Sequence, residues 1–397
     1  MEISSRVQAV NPSQTLQITA RAKSMRKSGI DVVNFAAGEP DFDTPQPIKD
    51  AAIKAINDGF TKYTPSTGMP ELRQRIAKKL KDENNLEYLP EQIAVSCGAK
   101  HTIFNLIQVL VNKGDQVIIP SPYWVSYPEM VKLAQGKPVI LETYLKNGFK
   151  IDIEKLKKKI NSSTKLLILN SPSNPAGIVY SKEELQKIAE VCVENKLLVI
   201  SDEIYEKILF DNVGTVSLAS LSKEICDLTL TVNGMSKSFS MTGWRIGYFA
   251  GPQATVDSVK KLQDHSTSCP SSISQMAALA ALDMDSTYFS SIKSKFQERR
   301  DLIISYIDGK LSEFVGYIKP QGAFYIFVNI SKTKLDSFDF AKRILEESHV
   351  AVIPGSAFGC NSWVRISFAT SIEEIKKGLQ RLEIFLIKLK TEKLTQV

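Results

Sequence analysis

Histidine and cysteine are scarce in this chain, with 3 histidines and 5 cysteines in 397 residues, and no CxxC pair occurs. An odd number of thiols without that spacing speaks against a disulfide framework and against a zinc site, and it suits a reducing compartment. No apolar run approaches the roughly 18 residues needed to cross a membrane. The start, Met1-Glu2-Ile3-Ser4, has no signal-like apolar core. A cytoplasmic protein with no membrane partner is therefore expected. The chain also lacks a G-x-G-x-x-G or Walker loop, which argues against a nucleotide-binding α/β protein. No internal repeat and no low-complexity segment are present. The net charge of +7 comes from 50 basic and 43 acidic residues, but the excess is dispersed. Lys155 to Lys159, Lys293 to Arg300 and Lys388 to Lys393 fall in helix-like stretches and read as solvated faces. Nucleic acid would call for a concentrated patch with interleaved aromatics, so no nucleic-acid partner is expected. The positive balance gives only a weak preference for anionic substrates.

What is present is an ordinary globular composition, 43% hydrophobic and 23% charged, at a length that favours two lobes. Short apolar runs alternate with helical patterns. Gln116–Pro120, Leu166–Asn170, Leu197–Ser201, Leu228–Val232 and Ile246–Ala250 read as strands. Thr102–Val111, Lys182–Glu194 and Ala254–Gln263 read as intervening helices, and Ser181 before Lys182-Glu183-Glu184 has the form of a capping box. This alternation predicts βαβ units and a mostly parallel, buried sheet. Polar residues follow the strands at Ser121, Asn170 to Asn174, Asp202 and Lys237. Ligands of open α/β sheets bind beyond the carboxyl ends of strands, so these residues should share one crevice. From Tyr288 onward the pattern changes to a long helix (Tyr288 to Lys310), a strand at Gly322–Val328, a helix at Phe338–Ser348, a strand at Trp363–Phe368 and a final helix at Ile372–Lys390. A large α/β lobe over 45–290 and a smaller α+β lobe from 1–44 and 291–397 are the expectation.

The most informative segment is Val232-Asn233-Gly234-Met235-Ser236-Lys237-Ser238-Phe239-Ser240-Met241-Thr242-Gly243-Trp244-Arg245. It puts a lysine among small hydroxyl residues just past a buried strand, where lost hydration favours the neutral, nucleophilic amine. Arg245 adds a fixed cationic fork suited to phosphate. Asp202 closes the run Leu197 to Ser201, where an isolated buried charge would need a cationic partner. Arg365 lies mid-strand in Trp363-Val364-Arg365-Ile366-Ser367, again a costly place for an unpaired charge. Ser96-Cys97-Gly98-Ala99-Lys100 precedes a helix whose N-terminus can meet an anion.

Together with Ala37-Gly38-Glu39-Pro40-Asp41-Phe42, Pro122-Tyr123-Trp124 and Asn170-Ser171-Pro172-Ser173-Asn174-Pro175, these motifs resemble the class I aminotransferases of fold type I. The resemblance runs through nearly the whole chain and is closest to the bacterial aspartate and prephenate aminotransferase subgroup. It implies a homodimeric enzyme that uses pyridoxal 5′-phosphate (PLP), with a large domain built on a seven-stranded type of sheet and a smaller α+β domain. Lys237 would hold PLP as a Schiff base and act as general acid/base in a ping-pong exchange. Asp202 would partner the pyridine nitrogen. Tyr205 and Asn174 would bond its 3′-oxygen, and Trp124 would stack on the ring. Gly98, Ala99, Lys100, Ser236 and Arg245 would surround the phosphate, with Tyr63 reaching it from the neighbouring subunit. Arg365, assisted by Gly38, Trp124 and Asn174, would take the substrate α-carboxylate. Lys100 and Thr15 would read an acidic side chain, making aspartate and 2-oxoglutarate the leading pair. Prephenate is left open, because some bifunctional relatives carry lysine where this chain has Asn11. One departure is Gly234, where many relatives have a serine whose hydroxyl Ser236 would replace. A kynurenine-type aminotransferase for aromatic or neutral amino acids and a carbon–sulfur lyase on the same fold are the alternatives. A PLP-sensing regulator would need an additional helix-turn-helix domain ahead of the pattern, which here begins within the first few residues.

Overall fold

The computed structural model describes residues 3–394, with side chains as far as 392. Residues 1–2 and 395–397, at the outer ends of the smaller expected lobe, lie outside them. A seven-stranded sheet runs in the order β2 (Ile93–Ser96), β8 (Gly247–Ala250), β7 (Thr229–Gly234), β6 (Leu198–Asp202), β5 (Thr164–Asn170), β3 (Gln116–Ser121), β4 (Lys137–Glu142). Only β8 is antiparallel to its neighbours, so the sheet is mostly parallel, as its alternation with helices predicts. A second, antiparallel sheet runs β12 (Ile353–Pro354), β13 (Trp363–Ser367), β10 (Tyr325–Asn329), β9 (Gly316–Ile318). A short parallel pair, β1 (Val33–Asn34) with β11 (Val350–Ala351), stitches the N-terminal segment to the C-terminal part.

The large sheet is apolar on both faces because consecutive strand residues point to opposite sides. In β5, Leu166 and Ile168 join a cluster with Ile103, Leu106 and Val131, whereas Leu167 and Leu169 join one with Leu185, Ile188 and Cys192. Helix Lys182–Glu194 on that second face begins with the expected capping box: the Ser181 hydroxyl accepts from Glu184 N–H at 3.2 Å, and the Glu184 carboxylate accepts from Ser181 N–H at 2.7 Å. Such a cap contributes about 1 kcal/mol. The register sets Asn170 of β5 opposite Asp202 of β6, and Asp202 opposite Val232 of β7. The polar residues that end these strands therefore share one edge of the sheet.

Some elements differ from their sequence-based limits. The helix expected from Thr102 starts at Ala99, directly after Gly98. The long helix spans Ser286–Tyr306 and continues as a wider π-helical turn over Ile307–Leu311. The strand expected from Gly322 begins only at Tyr325. Gly322 and Ala323 instead donate to the carbonyls of Gly177 (3.0 Å) and Ile208 (3.0 Å), tying this crossing to the large sheet's loops.

Candidate active site

A cavity of about 530 Å³ opens beyond the carboxyl ends of β5, β6 and β7. Thr15, Gly38, Ala99, Lys100, Trp124, Asn174, Asp202, Tyr205, Ser236, Lys237, Arg245 and Arg365 all line it. Of the residues singled out from the sequence, Gly98 stands just behind this wall, and Tyr63 lies away from it, 88% exposed.

Lys237 follows β7 and donates through Nζ to the Gly38 carbonyl. Burial, then the positive charges of Arg365, Arg245 and Lys100, bring its pKa down to about 8, with Glu39 opposing the shift. An amine that titrates there is substantially neutral in mildly basic solution, the form that attacks a carbonyl carbon. Asp202 ends β6 with its carboxylate buried. Tyr127 Oη donates to Oδ2 at 2.6 Å and Ile204 N–H to Oδ1 at 3.2 Å. Desolvation raises its pKa to about 6, while these donors and the charge of Lys237 pull the other way. Near neutral pH the group is therefore mostly a carboxylate, and a cationic ligand nitrogen would strengthen that state.

Arg365 is 4% exposed in the middle of β13. Its Nη2 donates to the Ala36 carbonyl at 3.0 Å and its Nη1 to Asn174 Oδ1 at 3.0 Å, with its guanidinium 4.2 Å from the centre of the Tyr325 ring. Its Nε has no partner, and no carboxylate pairs with it among the described residues. A buried cation satisfied only by neutral groups is costly, and a ligand carboxylate would complete it.

The anion end is built by the start of helix Ala99–Leu110 and by Arg245. Gly98 has φ +92°, and a Cβ there would lie 2.5 Å from Arg245 Nη2, so only glycine lets the guanidinium lie across the helix start. Arg245 Nη1 and Nη2 donate to the carbonyls of Thr242 (2.8 Å) and Cys97 (3.3 Å). At Gly234 a Cβ would lie 2.9 Å from Gly247 Cα and from the Ile246 carbonyl. The close approach of β7 and β8 thus leaves no room for the serine side chain that the family resemblance leads one to expect there. The Lys100 ammonium sits 5.0 Å from the centre of the Trp124 ring, its pKa lowered by burial and by Arg245. Thr15 pairs its hydroxyl with that of Ser13 at 2.9 Å, and Asn11, just before, is held to Glu129 through its backbone N–H at 2.8 Å.

Tyr127 and Tyr325 have no role in the sequence reading. The Tyr325 hydroxyl lies 3.1 Å from that of Tyr205, and its ring supports Arg365. Tyr127 follows Pro122-Tyr123-Trp124 closely enough to share its helix start, but its contact with Asp202 spans 75 positions and is invisible locally.

Residues 30–382 match the family model described as aminotransferase class I and II. An aspartate aminotransferase from Bacillus sp. (strain YM-2) is 48% identical, over 96% of this chain and 98% of the relative. A "Probable aspartate/prephenate aminotransferase" from Rickettsia felis is 47% identical over 96% of this chain and 95% of its own length. Among solved structures, the aspartate aminotransferase from Thermus thermophilus with maleate superimposes with a TM-score of 0.93 at 41% identity, covering 96% of this chain and 99% of that one.

Proposed function

The chain belongs to the aminotransferase class I and II family, and on that premise we propose that it exchanges the amino group of L-aspartate with the oxo group of 2-oxoglutarate. The observation that carries this reading is one cavity lined by the weakly basic amine of Lys237, the Asp202 carboxylate and an Arg365 that no carboxylate among the described residues pairs with. The residues suit PLP as cofactor: the Gly98 cradle beneath Arg245 fits a phosphate group, and a buried carboxylate stands where a protonated ring nitrogen would be neutralised. When bound, PLP supplies an aldehyde and an electron-withdrawing ring.

The residue roles in this proposal are those that the family resemblance implies. Lys237 Nζ would hold the cofactor and carry a proton to and from the substrate carbon. Asp202, kept ionised by Tyr127 and the Ile204 N–H, stabilises positive charge at the ring. Tyr205 and Asn174 would hydrogen-bond the ring oxygen, and Trp124 would stack on the ring. Gly98, Ala99, Lys100, Ser236 and Arg245 would hold the phosphate, joined by Tyr63 from the second subunit of a homodimer. Arg365, with Gly38, Trp124 and Asn174, grips the α-carboxylate in the planar fork that arginine offers. Lys100 and Thr15 meet the second carboxylate, and maleate, a dicarboxylate, accompanies the Thermus relative. The division into a cofactor-binding lobe over 45–290 and a smaller lobe from 1–44 and 291–397 belongs to the same proposal.

The test is the visible spectrum of the purified protein and its change on adding aspartate, followed by steady-state rates with aspartate, glutamate, prephenate and aromatic acceptors and donors. A cofactor band that shifts with aspartate, and the highest kcat/KM for the acidic pair, are expected. Negligible rates with both acidic donors overturn the specificity. Pyruvate and ammonia as the products would favour the lyase alternative. Prephenate turnover is read in the same assay, since relatives of this chain bear that activity in their names.

A further inference from the structure

The turn that follows β6 has two sides. Asp202 and Tyr205 line the active-site cavity, whereas Glu203 and Glu206, each one residue further on, point away from it into a buried polar cluster. Lys79, from helix Pro70–Asn84, lies only 5% exposed against Glu206, with its Nζ bonded to that carboxylate and to Asn84 Oδ1 at 2.7 Å. Asn84 Nδ2 bridges onward, donating to Glu206 Oε2 at 2.8 Å and to Ser217 Oγ at 3.0 Å. Ser217 Oγ in turn donates to Glu203 Oε2 at 2.6 Å, and Ser201 Oγ to Glu203 Oε1 at 2.8 Å. At the rim, Glu83 lies 3.5 Å from Lys79 and 2.8 Å from Lys207.

We propose that Lys79, acting through Glu206, Asn84, Ser217 and Glu203, is a positioning residue for the catalytic turn, fixing where Asp202 and Tyr205 stand in the cavity. The inference rests on the reading of the cavity as an aminotransferase site. Burying two carboxylates and an ammonium behind a short turn is an expensive way to gain stability, because well-packed apolar side chains would do as well or better. What the cluster adds is direction. Its bonds to Glu203 and Glu206 end on residues adjacent in sequence to Asp202 and Tyr205, which face the cavity, so the turn cannot rotate without breaking a desolvated hydrogen bond. Ser201 and Glu203 bracket Asp202, and Glu206 follows Tyr205. Burial raises Glu203 to a pKa of about 7, whereas Lys79 holds Glu206 below the usual carboxylate range. The pair nearest the lysine is therefore firmly ionic, and the link next to Asp202 is the softer one.

The test compares the holoenzyme with the double variant Lys79→Met/Glu206→Gln, which removes both charges together and leaves neither ion unpaired. PLP affinity by titration of the apoprotein, the pH midpoint of the bound cofactor's visible band, and kcat and KM for aspartate are measured alongside circular dichroism. The proposal expects a folded protein with PLP bound at least tenfold more weakly and kcat lowered at least tenfold. It also expects KM to change less than threefold and the band's midpoint to move by at least half a pH unit. Lys79→Arg, which keeps the ion pair, should stay within threefold of wild type. If the double variant does not fold, Asn84→Ala carries the same readouts, with at least a threefold loss of PLP affinity and kcat expected. A folded double variant, or Asn84→Ala in its place, that matches wild type in affinity, kcat and band midpoint overturns the proposal. Wild-type protein that neither binds PLP nor transfers an amino group overturns the underlying function instead, and that outcome is read before any variant is made.

Discussion

Lys79, buried, and Lys237, half-buried, lie on either side of the same turn, and they end in opposite states. Around Lys79 the fold supplies Glu206, Asn84 and Glu83, and the pKa rises despite desolvation. Around Lys237 it supplies Arg365, Arg245 and Lys100, and the pKa falls to about 8. Burial is common to both, so the neighbours decide. A lysine given an anion becomes a permanent cation and a fastener. A lysine given cations becomes a base that can be neutral at a working pH. The same rule applies to the carboxylates: Glu206 is held low by Lys79, whereas Asp202 is raised to about 6 and depends on hydrogen-bond donors to stay charged.

The largest effect should come from Lys237→Ala, which removes the nucleophile and the proton carrier together. Turnover should fall by about 10⁴-fold or more, with the cofactor no longer covalently held after borohydride reduction. Asp202→Asn keeps the shape and removes the charge. It should lower kcat by roughly 10²- to 10³-fold, the scale for losing one electrostatic group aimed at developing charge, as measured in steady state. The paired lysine should respond differently. Lys79→Met strands a buried Glu206 carboxylate and should cost about 3–5 kcal/mol in denaturant unfolding, most of it recovered when Glu206→Gln is added.

A pH scan of apoprotein stability sharpens the contrast further. Lys237 has a folded pKa near 8 against 10.5 for the free side chain. Between those values the unfolded chain binds more protons, so stability should rise with pH there, by about 3 kcal/mol for that one group. Lys79 works in the other direction: its contribution is complete below 10.5 and is lost as pH climbs from there through its raised folded pKa. Glu203, moved from 4.5 to about 7, binds more protons in the folded state, so its contribution declines as pH climbs through that window. Glu203→Gln should flatten that part of the profile.

The contrast also marks where the sequence is legible. Lys237, Arg245, Asp202, Asn174 and Trp124 lie in contiguous motifs at the ends of strands, and apolar alternation located those strands. Lys79 sits in a plain amphipathic helix, and its partner Glu206 is 127 positions away, so nothing local distinguishes it from a solvated lysine. Tyr127 with Asp202 and Arg365 with Asn174 are likewise made only by folding, across 75 and 191 positions. Two strands of the large sheet also escape the pattern. β4 is an edge strand with Pro138 inside it and half-exposed faces, and β2 has four residues. A proline in an apolar run weakens the strand signal, and so few residues hold too little alternation to register.

Reductive trapping of the apoprotein with PLP across a pH series, followed by peptide mapping, reads the protonation state of Lys237 itself. A single major label at Lys237 is expected, its yield rising with a midpoint near pH 8, with Lys79 unmodified. A midpoint near that of free lysine, or label spread over surface lysines with none at Lys237, would contradict it.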